Sequence, residues 1–72
     1  MKYHEELPHA VISNLFPDNG YGFLTTPDGM EVYFHANSVL NKDFAGLKVG
    51  MKVRFVREKG DKGPQASSVT VT

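Results

Sequence analysis

Hydrophobic and polar residues alternate along short stretches of this chain, as they do in half-buried β-strands. The runs at residues 10–16, 21–26 and 30–35 predict three strands, with proline- and glycine-bearing turns between them. Alternation resumes at 49–56 after a long connection, and the Val- and Thr-rich segment 66–72 predicts a fifth strand. We therefore predict an all-β fold, a five-stranded antiparallel Greek-key barrel, because closing the sheet removes its exposed edges.

The 72 residues suffice for one domain. Residues 1–8 are polar, end in a proline and show no periodicity, so we expect a flexible lead-in or the stub of a linker before the folded domain at 9–72. The residues of two connections between strands also predict local structure. Residues 36–40 are expected to form one helical turn capped by Asn37, and residues 58–63 a charged, glycine-bearing loop.

The charge balance argues against a strong, purely electrostatic binder of polyanions, since eight Lys and Arg residues offset eight Asp and Glu residues. The chain has no cysteine, which suits a reducing compartment. It has no apolar run near the roughly 20 residues of a membrane span and no signal-peptide pattern. We expect a soluble, cytoplasmic protein that acts as a monomer and contacts no membrane.

Two aromatic runs, at residues 21–23 and 32–35, stand on either side of a predicted turn. Because side chains alternate along a strand, one face is predicted to hold Tyr21, Phe23, Tyr33 and His35. The positions that alternate with these rings are apolar. Together with apolar residues of the other strands, they are expected to fill the core without the rings: Ile12, Leu24, Val32, Phe34, Val53, Phe55 and Val69. The alternative is that the rings themselves form the core. Rings on an outer face suit the stacking of unpaired nucleic-acid bases.

No residues combine as nucleophile, base and orienting group, so we predict neither an enzyme nor a cofactor. A metal site is not expected, because His35 lacks a second spaced histidine, a cysteine or a paired carboxylate. Gly22, between two rings, is expected to let a base or a neighbouring strand approach closely, or else to bend its strand.

Three short motifs then carry a resemblance to a known family. The segments Gly20-Tyr21-Gly22-Phe23-Leu24, Val32-Tyr33-Phe34-His35 and Gly63-Pro64-Gln65-Ala66 resemble landmarks of the bacterial cold-shock domain, in the same order and spacing. The resemblance covers about residues 10–71. It implies a barrel of the oligonucleotide-binding (OB) type that binds single-stranded RNA and DNA.

The resemblance also implies roles for individual residues. It places the rings of Tyr21, Phe23, Tyr33 and His35 at the family's base-stacking positions. A further stacking position falls on Phe44, in the long connection. Contacts to the nucleic-acid backbone or to bases are implied for Lys62 and Gln65.

The first strand departs from the family pattern. Ser13-Asn14-Leu15 stands where the family usually has Lys-Trp-Phe, so a phosphate contact and a large indole are missing, and Asn14 takes the indole's place in the predicted interface. Phe16, one position further, is expected either to replace a ring in part or to pack in the core. Weaker binding and a flatter salt dependence are expected as a result.

The first-strand variant at residues 14–18 also resembles a subfamily in which a cold-shock domain is attached to, or encoded beside, ribosome-hibernation proteins. That resemblance implies ribosomal RNA as a partner. As an alternative function, the aromatic face is expected to dock on a ribosomal protein or a partner domain.

Overall fold

Five strands and two short 3₁₀ turns make up the chain in this computed structural model, which describes residues 8–61 and 63–72. The strands are β1 (His9–Phe16), β2 (Tyr21–Thr25), β3 (Glu31–His35), β4 (Lys52–Gly60) and β5 (Gly63–Val71). The 3₁₀ turns are Ala36–Ser38 and Phe44–Gly46. Of the predicted lead-in, every residue except Pro8 lies outside the described residues. Within the described part of the chain, no helix is long and apolar enough to cross a membrane.

The strands close into a barrel in the order β1, β2, β3, β5, β4, which confirms the predicted five-stranded barrel. Four neighbouring pairs are antiparallel, while β3 and β5 run parallel through the pairs Tyr33 with Gln65 and Phe34 with Ala66. The reason is topological. A closed ring with an odd number of strands cannot alternate direction throughout, so one pair must be parallel.

The core consists of apolar side chains at the inward positions of the strands, with one contribution from the long connection. All seven residues predicted for the core are buried, and in β2, β3 and β4 the buried positions follow the predicted period of two. The complete buried set is Ala10, Ile12, Leu24, Val32, Phe34, Leu47, Val53, Phe55, Ala66 and Val69.

The connection between β3 and β4 covers the edge of β5 beyond the point where β3 ends. Val39 forms a bridge with Val69, and the Leu40 amide donates to the Val69 carbonyl oxygen at 2.9 Å. The Asn41 carboxamide then imitates a strand, donating to the Val71 carbonyl and accepting from the Val71 amide, each at 2.9 Å. Polar groups of this edge are thereby paired without a sixth strand.

The predicted loop at residues 58–63 is wrong in most of its length. The ladder between β4 and β5 continues through Glu58 with Gln65 and Lys59 with Pro64 to Gly60 with Gly63, so β4 ends only at Gly60 and β5 begins at Gly63. Hydropathy could not reveal this, because the extension is exposed and its backbone pairing requires no apolar side chain.

The predicted start of the fourth strand at Val49 is also wrong. Val49 is 62% exposed, Gly50 has a φ of 98°, and the strand begins at Lys52. Because a positive φ turns the backbone out of the extended conformation, alternation before Gly50 does not continue into the strand.

Candidate nucleic-acid interface

One extra residue in β1 decides which of its side chains face outward. The pairing of β1 with β2 shifts register between Ile12 and Asn14, so Ser13 forms a β-bulge. Strict alternation from the buried Ile12 would turn Asn14 and Phe16 inward. The bulge reverses the phase, so that Leu15 packs against the core and both Asn14 and Phe16 are exposed. Phe16 therefore belongs to the outer surface and not to the core.

Strand register brings the outward rings of three strands side by side. Phe16 pairs with Tyr21, and Tyr21 pairs with His35 on the next strand. Phe23 pairs with Tyr33 in the neighbouring row. We call Phe16, Tyr21, Phe23 and Tyr33 the ring platform, which His35 flanks at the end of β3. The predicted common face of the aromatic residues is confirmed, and the alternative that they form the core is wrong, since none is buried.

The four platform rings form one continuous aromatic cluster. Phe16 stacks on Tyr21, with ring centroids 4.9 Å apart and planes inclined by 23°. Tyr21 and Tyr33 lie 5.6 Å apart at 33°. Phe23 meets the other three edge-on, at 6.3 Å from Phe16, 5.9 Å from Tyr21 and 6.0 Å from Tyr33. These separations and inclinations are those of favourable aromatic pairs, so the rings hold one another in place.

Gly22 has no side chain, which allows the neighbouring strands to approach closely beneath this cluster. A Cβ at Gly22 would lie 2.7 Å from the Asn14 carbonyl oxygen and 2.9 Å from the buried Phe34 ring. Of the three predicted reasons for this glycine, the structure shows the close approach of a neighbouring strand.

His35 ends β3 and caps the 3₁₀ turn that follows. Its Nδ1 accepts a hydrogen bond from the Asn37 backbone amide at 3.0 Å. The predicted cap, Asn37, is therefore wrong, because the residue before the turn supplies the acceptor. The imidazole is exposed, so its other ring nitrogen, Nε2, is accessible for hydrogen bonding from outside the domain.

A groove of about 700 Å³ lies between the platform and the hairpin of β4 and β5. Three platform rings line one side, and residues 63–65 line the other. Two carboxylates, Glu31 and Asp61, also line it, and its described lining residues include no cationic side chain. The sequence reasoning missed both acids. Glu31 shares the parity of Tyr33 and was detectable by alternation, whereas Asp61 lies in a turn, where no periodic signal exists.

Two further predicted residues lie beside the platform. Gln65 pairs with Tyr33 across β3 and β5 and lines the groove. Asn14 is exposed and pairs with Phe23 across β1 and β2. A row of outward positions therefore runs from Asn14 through both rings to Gln65.

Phe44, which was also predicted for the interface, is not part of this cluster. The ring contact of Phe44 is with Phe34, at 6.0 Å, and Phe44 packs against the core from the long connection. Lys62 lies outside the described residues.

A closed five-stranded barrel with stacked aromatic side chains on its outer sheet is the architecture of the oligonucleotide-binding class of β-barrels. Comparison with known proteins agrees with this class. Residues 9–72 match the family model described as the 'Cold-shock' DNA-binding domain. The chain therefore belongs to the cold-shock domain family, whose members bind nucleic acid.

Curated relatives come from several bacteria. Cold shock protein 1 of Lactiplantibacillus plantarum is 44% identical over 52 residues, which cover 72% of this chain and 79% of the relative. Cold shock protein CspV of Vibrio cholerae is 47% identical over 51 residues, which cover 69% and 73%. The major cold shock protein of Streptococcus pyogenes is 38% identical over 53 residues, which cover 74% and 79%.

Proposed function

We propose that this domain binds single-stranded RNA or DNA with weak sequence preference by stacking bases on the ring platform. The observation that carries the proposal is the cluster of four partly exposed rings on one outer face. Every base has a flat face, so a stacking surface tolerates any sequence, and each stacked base contributes about 1–3 kcal/mol. Asn14, His35 and Gln65 border this surface, and in this proposal they make polar contacts to the bound bases. Phe44 and Lys62 remain predicted contacts.

The first strand changes the balance of contacts in this proposal. Asn14 replaces the large indole that the family usually has, but the bulge at Ser13 presents Phe16 on the same face, stacked on Tyr21. One ring is lost at position 14 and another is gained two positions along, at Phe16. The predicted weakening from the missing indole is therefore offset in part by Phe16.

The acidic groove implies that stacking contributes more than phosphate attraction. Glu31 and Asp61 line the groove and repel phosphates that approach them. Ser13 and Asn19 also stand where the family usually has lysines. Each phosphate contact on a single strand contributes roughly −0.7 to the slope of log affinity against log salt, so we expect a slope shallower than about −2.

The test is a titration of isotopically labelled protein with a seven-nucleotide pyrimidine strand, followed by amide chemical shifts. We expect the largest shifts in β1 to β3, around the platform. Strands that stay unchanged at millimolar oligonucleotide, with shifts only in lysine-bearing loops, would contradict the stacking proposal.

A matched pair of variants separates the platform from other exposed surface. Tyr33→Ala removes a platform ring and is expected to weaken binding roughly 5- to 150-fold with little loss of fold. Val56→Ala shortens an exposed apolar side chain on the outer face of β4, away from the platform, and is expected to bind as the wild type does.

A second candidate function is the docking of the platform on a basic protein segment, such as one from a ribosomal protein. The two carboxylates in the groove favour it, because they attract Lys and Arg side chains that also lie well over aromatic faces. Capture from nuclease-treated lysate separates the candidates. A partner retained after nuclease supports protein docking, and its loss supports nucleic acid.

The proposal includes action as a monomer in the cytoplasm, without a catalytic step. A ribosomal RNA partner stays a prediction that rests on the first-strand resemblance alone. The relatives named above are cold shock proteins, and they give the ribosome-hibernation variant no support.

A further inference from the structure

Gln65 occupies the end of the polar and aromatic row that crosses the interface. Its position pairs with Tyr33 on β3 and with Glu58 on β4. It also lines the groove together with the platform rings. A base stacked on Tyr33 would thus have the Gln65 carboxamide as its neighbour.

The space that this carboxamide occupies exists because residue 60 is glycine. A Cβ at Gly60 would lie 2.3 Å from Gln65 Oε1 and 3.1 Å from Gln65 Cβ, and also 3.1 Å from the Gly63 carbonyl oxygen. Gly60 is not among the glycines with positive φ, so its backbone conformation is open to alanine. The conflict at this position is therefore chiefly with the Gln65 side chain.

We infer that Gly60 is a positioning residue of the interface, acting through Gln65. Its bare Cα lets the carboxamide lie against β4, where its oxygen and its NH₂ group hydrogen-bond to the edge of a base stacked on Tyr33. Alanine at position 60 displaces the carboxamide, which is flexible at its far end, while the strands stay paired. This inference rests on the proposed function.

The test is a double-mutant cycle on affinity for the seven-nucleotide pyrimidine strand. Gly60→Ala and Gln65→Ala are each expected to weaken binding by about 2- to 10-fold, the change that one net hydrogen bond produces. The double variant is expected to bind as Gln65→Ala alone does, because the space matters only when the carboxamide is present. Losses that multiply would show that Gly60 acts independently of Gln65 and would overturn the inference.

Gly46→Ala is the matched control. A Cβ there meets only the Lys42 side chain, at 3.2 Å, so the same substitution is expected to leave affinity unchanged. Thermal unfolding of each variant shows whether the fold is retained.

A measurement on the wild-type protein covers the case in which Gly60→Ala does not fold. The side-chain amide protons of Gln65 are expected to show nuclear Overhauser contacts to the Gly60 Hα protons. Their absence would overturn the inference. Failure of the wild-type chain to bind any oligonucleotide would instead overturn the proposed function, and the inference with it.

Discussion

The ring of Phe16 lies almost flat on the ring of Tyr21, with centroids 4.9 Å apart and planes 23° from parallel. This contact joins the β1 ring of the platform to the rings of β2, although the side chain of Phe16 remains 40% exposed. It is the geometry expected of a ring that extends a stacking surface.

Removing this ring is expected to reduce binding more than stability. Phe16→Ala deletes one stacking surface, so affinity for a pyrimidine strand is expected to fall by about 1–3 kcal/mol, roughly 5- to 150-fold. Fluorescence titration measures the loss. Phe16→Leu keeps an apolar side chain without a ring and is expected to lose a similar affinity. Wild-type binding by Phe16→Ala would place Phe16 outside the interface.

Gly22→Ala is expected to destabilise the domain. The new methyl group would meet the Asn14 carbonyl oxygen and the Phe34 ring, which are backbone and buried core, so neither can move cheaply. Overpacking of this kind costs about 1–3 kcal/mol, measurable by denaturant unfolding. Gly46→Ala meets only the flexible Lys42 side chain and serves as the control. Equal stability of the two variants would contradict the close approach at Gly22.

The hydrogen bond to His35 Nδ1 caps the 3₁₀ turn beside the platform. His35→Phe keeps a ring but has no acceptor for the Asn37 amide. The Asn37 amide is therefore expected to exchange with solvent faster in this variant than in the wild type, which hydrogen exchange followed by NMR measures. Equal exchange of this amide in the two proteins would show that the cap does not form in solution.

The turn between β2 and β3 contains a carboxylate whose charged form the fold favours. A hydrogen bond from the Thr26 hydroxyl holds the pKa of Asp28 below its ordinary value of 3.8, with smaller help from backbone amides and the Arg57 charge. A lowered pKa stabilises the folded state above the unfolded-state value, and this contribution is lost as pH falls through the folded-state value. Acidification is therefore expected to weaken the turn.

Thr26→Val tests this directly, because it removes the donor and is expected to raise the pKa of Asp28 toward its ordinary value. Carboxyl-carbon NMR titration measures the shift. Thr25→Val removes the neighbouring hydroxyl, which makes no such bond, and should leave the pKa of Asp28 where it is. If both variants titrate alike, Thr26 is not the cause.

The amino-acid sequence by itself predicted the residues of the barrel core and the common face of the aromatic residues. Phe34 and Phe55 lie inside, and Tyr33 outside, because neighbouring side chains of a strand point to opposite faces. This rule is local, so alternation along β2 and β3 suffices to apply it. The exposed part of the hairpin between β4 and β5 has no such pattern, and only the backbone ladder reveals it.

The tertiary structure decided which residues line the groove and on which face of the sheet Phe16 lies. Asp61 lines the groove from a turn, together with residues of β2 and β3 that are distant in the sequence. Phe16 faces outward because Ser13 is an extra residue opposite β2, which reverses the alternation of β1. A bulge is defined by the register of two strands. Residue order therefore set the faces within each unbroken strand, whereas contact between strands decided how β1 completes the platform.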